Sequence, residues 1–180
     1  MKVFIAGARA ILVLDESVKE RLKNIYTNNY TVIVGDAIGV DSSVQKFFSD
    51  LDYRSVVVYA SEGKARNNFG DWEVNSVEVP IRSRGFNYYA AKDIALANDA
   101  DYGFMIWNGE SKGTLNNIVN LLNLDKKSIV YLTTINTFYN IEGIDDLHEL
   151  IESCGQNAKV LIEKIISTSV ANKFHQTSLF

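Results

Sequence analysis

The chain has 180 residues, 47% of them hydrophobic and 22% charged, with 11 glycines, one proline, one cysteine and a net charge of −4. That is the make-up of an ordinary globular protein near the size of one domain, and it excludes wholesale disorder and fibrous repeats. A single cysteine closes no internal disulfide, a net negative chain does not grip duplex nucleic acid by charge alone, and no run of about 20 apolar residues is present to span a bilayer.

The apolar pattern changes period repeatedly along the chain. Residues 2–6 are a short apolar run ending at Gly7, which reads as a buried strand. From residue 15 to 26, Val18, Leu22, Ile25 and Tyr26 fall at helical spacing among charges, with Asp15 positioned as a cap. Residues 30–34 (YTVIV) are a second strand that stops at Gly35, and Val40, Val44, Phe47, Phe48 and Leu51 mark a second helix. Residues 55–59 (SVVVY) are a third strand.

Residues 60–85 carry no clear period and contain Pro80; a segment this long without regular structure is often functional. Helix resumes over 86–98, rich in alanine. Residues 101–107 (DYGFMIW) read as a fourth strand, Leu115, Ile118, Val119 and Leu122 as the stripe of the next helix, and 128–132 (SIVYL) as a fifth strand. Alternating strands and helices with continuously apolar strands predict an α/β fold: an open, mostly parallel, five-stranded sheet with helices on both faces. Residues 1–135 would form this sheet domain. Residues 136–180 would add a helical C-terminal extension, with helices over 145–152 and 158–171 and a frayed end.

In such a sheet, ligands bind beyond the carboxyl ends of the strands. Three of those ends carry glycine-bearing turns: Gly7-Ala8-Arg9, the stretch Gly35-Asp36-Ala37-Ile38-Gly39-Val40-Asp41, and Gly109-Glu110-Ser111-Lys112-Gly113-Thr114. Free amides at a helix start favour an anion such as phosphate, and a guanidinium at Arg9 suits a phosphate or carboxylate. For Asp36 and Asp41, a helix cap and a ligand contact are equally weighted alternatives. Neither the Gly-x-Gly-x-x-Gly fingerprint nor a Gly-Lys-Ser/Thr phosphate loop is present.

These turns, together with Arg66-Asn67-Asn68, resemble the SLOG superfamily, which includes the LONELY GUY phosphoribohydrolases, the DNA-processing protein DprA and small stand-alone proteins of the YspA type. The resemblance is nearest the last set and covers roughly the first three quarters of the chain. It implies a Rossmann-like, nucleotide-binding domain over residues 1–135, with a site for a nucleotide or nucleotide-derived small molecule and Gly113 and Thr114 as the phosphate corner. Gly7, Arg9, Gly35, Asp36, Asp41, Arg66, Asn67, Gly109, Ser111 and Asn117 complete the expected ligand set. Asn117 stands where the phosphoribohydrolases carry a glutamate, and an amide is no carboxylate base. The leading expectation is therefore nucleotide binding in a sensor or processing role. N-glycoside cleavage or transfer, with Asp36 or Glu110 as the catalytic candidate, is the alternative; single-stranded nucleic-acid binding is the third reading.

His148, His175 and Cys154 show no metal-ligand spacing, so no metal and no cofactor are expected. Trp107 reads as core, whereas Trp72 in the irregular stretch is placed for a ligand or a subunit contact. The stripe Leu161, Ile162, Ile165 and Ile166 either packs on the chain's own sheet or forms the contact of a homodimer or larger homo-oligomer. The brief apolar start before Arg9 and the cysteine usage fit a cytoplasmic protein without membrane attachment.

Overall fold

A computed structural model describes residues 1–78, 86–155 and 159–160. The elements follow in the order β1 (Lys2–Gly7), α1 (Glu16–Thr27), β2 (Thr31–Val34), α2 (Val40–Asp50), β3 (Val56–Ser61), β4 (Glu73–Val77), α3 (Phe86–Asp99), β5 (Tyr102–Trp107), α4 (Lys112–Asn123), β6 (Ser128–Leu132), β7 (Thr137–Ile141) and α5 (Ile144–Glu152). The sheet order is β4-β3-β2-β1-β5-β6-β7. Every pairing is parallel except that of β6 with β7.

The fold is the expected Rossmann-like α/β arrangement, with seven strands rather than five. The two additions are the edges. β4 (EVNSV) buries almost nothing, and β7 (TFYNI) buries only Ile141 fully, so neither leaves an apolar run in the sequence. β4 lies in the stretch read as irregular, and β7 opens the region read as helical. The helix expected over 145–152 is present as α5, whereas most of the helix expected over 158–171 lies outside the described residues. That also holds for the stripe Leu161, Ile162, Ile165 and Ile166, and for Pro80 and His175.

The central strands are apolar on both sides because each face carries its own core. One core joins Val3, Ile5, Val32 and Val34 to Val18 and Leu22 of α1 and Val44 and Phe48 of α2. The other joins Phe4, Ala6 and Ile33 to Leu96 of α3, Leu115 and Ile118 of α4, and Leu147 and Leu150 of α5. Trp107 is fully buried in the second, as expected. Trp72 departs from expectation. It is buried in the first core, with its indole N–H donating to the Tyr53 carbonyl at 2.7 Å. No described helix is long and apolar enough to cross a membrane.

The chain leaves β1 for β2 on one side and reaches β5 on the other, so β1 and β5 flank the point where the strand order reverses. Their carboxyl ends diverge into two loops there and leave a crevice between them.

Candidate functional site

That crevice holds a cavity of about 310 Å³. Its floor is the end of β1, through Phe4, Ala6 and Gly7. Lys92, Asp93 and Leu96 of α3 form one wall, and Ser111, Lys112, Gly113, Thr114 and Asn117 at the start of α4 form the other. Arg9, Gly35, Ala37 and Asp41 close the end, from the loops after β1 and β2 and from the first turn of α2.

Eight residues singled out from the sequence thus meet in one cavity: Gly7, Arg9, Gly35, Asp41, Ser111, Gly113, Thr114 and Asn117. The lining does not include Asp36, Arg66, Asn67, Gly109 or Glu110. Two of the glycines answer to packing within the chain. A Cβ on Gly7 would stand 2.3 Å from the Ile106 carbonyl oxygen, and one on Gly35 would stand 2.4 Å from Asp41 Oδ2. Gly113 differs, since a Cβ there would meet nothing within 4 Å.

The start of α4 is built by its own turn. Asn108 Oδ1 accepts from the amides of Glu110 and Ser111, and the Trp107 indole donates to the Ser111 carbonyl at 3.0 Å. Ser111 caps the helix: its Oγ accepts from the Thr114 amide at 3.4 Å and from Thr114 Oγ1 at 2.9 Å. With the Thr114 amide taken by the cap, the Lys112 and Gly113 amides remain as first-turn donors, which a helix cannot satisfy internally.

Asp36 is committed elsewhere. Its Oδ1 accepts from Arg66 Nη2 at 2.7 Å and Lys92 Nζ at 2.6 Å, and its Oδ2 accepts from Arg66 Nε at 2.9 Å and the Arg66 amide at 3.1 Å. Burial opposes the charge, but the Arg66 and Lys92 hydrogen bonds outweigh it and hold this carboxyl well below the usual carboxylate range. Asn67 donates to the Asp36 carbonyl at 2.9 Å, and Asn68 exchanges two hydrogen bonds with the Trp72 backbone. The Arg66-Asn67-Asn68 motif therefore clamps the loop before β4 onto the end of β2. Asp36, which the sequence left open between cap and ligand contact, is an anchor for two cations.

Of the two carboxyls considered for catalysis, Asp36 is tied up in this way and Glu110 is exposed on the turn. The carboxyls that line the cavity are Asp41 and Asp93. Asp41 Oδ2 accepts from the Ala37 amide at 3.2 Å. Burial pushes the Asp41 carboxyl up to about 6 against the pull of Lys92, and burial pushes Asp93 up to about 7, again against Lys92. Among the described residues, no group of three His, Cys, Asp or Glu side chains is arranged to hold a metal ion.

Lys92 and Asp93 escaped the sequence reading because charges on an alanine-rich helix look like a solvent face. One signal was there: both fall on the helical stripe running through Leu96, where an apolar residue would be ordinary.

The sequence matches no family model and no curated protein. Among solved structures, the chain is similar to DNA processing protein A of Helicobacter pylori, studied for its single-stranded DNA binding mode. The TM-score is 0.58 at 16% sequence identity, over 93% of this chain and 81% of that one. At that identity the likeness extends to the fold.

Proposed function

We propose that this protein is a nucleotide-binding member of the SLOG superfamily that takes a nucleoside monophosphate, or a nucleotide derivative of similar size, in the cavity between α3 and α4. The observation that carries this reading is the meeting of three strand-end turns in one cavity where the strand order reverses, the place where open α/β sheets take their ligands. Its 310 Å³ falls at the small end of the ~300–1,000 Å³ range of small-molecule sites. The first-turn amides of α4, with Lys112 and Arg9 among the lining cations, suit a phosphate. The apolar floor of Phe4, Ala6 and Leu96 suits a sugar or base.

The test is thermal unfolding with nucleoside monophosphates, cyclic dinucleotides and ADP-ribose. A ligand at about 100 times its Kd stabilises by roughly 2.7 kcal/mol, so a monophosphate should raise the melting temperature by about 5–10 °C. No shift with any nucleotide would reject this reading. Single-stranded DNA binding is the second reading, supported by the structural neighbour's activity. It predicts salt-sensitive binding of an oligodeoxynucleotide that free monophosphates do not compete away.

A further inference from the structure

The cavity is lined by acceptors as well as donors. Asn117 is 5% exposed, lines the cavity, and its Oδ1 has no hydrogen-bond partner. A buried amide oxygen left without a donor is costly, which points to a group that arrives with the ligand. Two carboxyls line the same cavity. Asp93 accepts no hydrogen bond among the described residues, and Asp41 accepts one, from the Ala37 amide. The ammonium nearest to them, Lys92, is already 2.6 Å from Asp36. The cavity therefore presents acceptor oxygens to a ligand as well as the donors at the start of α4.

Resting on the nucleotide-binding reading, we propose that Asp93 selects guanine nucleotides, its carboxylate pairing with the N1–H and N2–H of the base. Among the common bases, only guanine places an imino N–H and an amino group side by side, so one carboxylate can accept from both. Adenine and cytosine offer an amine beside an acceptor nitrogen, which would face a carboxylate oxygen lone pair to lone pair. Uracil offers a single N–H between two carbonyls. The Asn117 amide oxygen adds a further acceptor for an amino or hydroxyl hydrogen in the same space. Burial already disfavours the charged form of Asp93, and two aligned donors offset that cost.

Calorimetric titration of the full chain with GMP, IMP, AMP and UMP tests this. IMP differs from GMP only by the missing 2-amino group. GMP should bind at least about tenfold more tightly than IMP, AMP or UMP, the scale of one lost charge-assisted hydrogen bond. Asp93→Asn should bring GMP to within about threefold of AMP, since an amide presents one donor and one acceptor. Equal affinities for the four nucleotides, or a preference for AMP or UMP, would overturn the guanine assignment and leave nucleotide binding standing. Binding of none would overturn both. A guanine preference that survives in Asp93→Asn would take that residue out of the role. The four-ligand comparison on the native chain decides the matter even if the variant fails to fold.

Discussion

Lys92 Nζ on α3 lies 2.6 Å from Asp36 Oδ1 at the end of β2, and both side chains are about 95% buried. The bridge spans 56 residues of sequence. It ties the wall of the cavity to the strand end beside it, so the register of α3, and with it the position of Asp93, depends on an ion pair.

Removing one partner of a buried pair strands the other charge, so Asp36→Ala should cost about 3–5 kcal/mol in unfolding free energy. Arg66 is half-exposed at 45%. Its replacement by alanine should cost less, about 1 kcal/mol, because water can reach the vacated site. The double variant Asp36→Ala/Lys92→Met should recover part of the Asp36→Ala loss. Urea titrations of the three variants check this, and an Asp36→Ala protein as stable as the native chain would contradict it.

The carboxyls predict an unusual dependence of stability on pH. Asp41 and Asp93 hold their protons more tightly folded, at about 6 and about 7, than at the ordinary carboxyl value of 3.8. The stability they contribute as neutral groups is complete below 3.8 and is lost as pH rises through about 6 and 7. Asp36 runs the other way. Its pKa is depressed, so its contribution is present above 3.8 and is lost as pH falls below that value. The melting temperature of the ligand-free protein should therefore be higher near pH 5 than at pH 8, and Asp93→Asn should flatten that difference. A melting temperature that climbs steadily from pH 5 to pH 8 would contradict it.

Gly113 separates ligand binding from folding. With nothing within 4 Å of a Cβ at this position, Gly113→Val places its methyl groups in the cavity and not in the core. The circular dichroism spectrum should stay native, because a β-branched residue in a helix costs less than about 1 kcal/mol relative to its alternatives. Nucleotide affinity should fall by more than about tenfold, as a close phosphate contact is blocked. Unchanged affinity would move the phosphate away from α4.

Arg9 lines the cavity and is exposed. Arg9→Ala should weaken nucleotide monophosphate binding by roughly 10- to 100-fold, the size of one charge-assisted hydrogen bond. The corresponding nucleoside, lacking the phosphate, should be insensitive to the substitution. Equal losses for nucleoside and nucleotide would place Arg9 away from the phosphate.

The sequence by itself determined the five inner strands and the helices between them. A strand buried on both faces must be apolar throughout, and a helix on a sheet must carry a stripe; both leave a period that can be read locally. It likewise marked Gly7, Gly35 and the Ser111–Thr114 turn, because strand-to-helix turns need particular residues for local backbone reasons. The tertiary structure decided what those turns face. The edge strands β4 and β7 were hidden because one-sided burial leaves too few apolar residues to register. Asp36, open in the sequence between a helix cap and a ligand contact, accepts hydrogen bonds from Arg66 and Lys92, 30 and 56 residues away. Asp93, on a helix that looked solvent-facing, lines the cavity. A carboxylate's role depends on which cation reaches it and how much water is excluded, and both are set by segments distant in the chain.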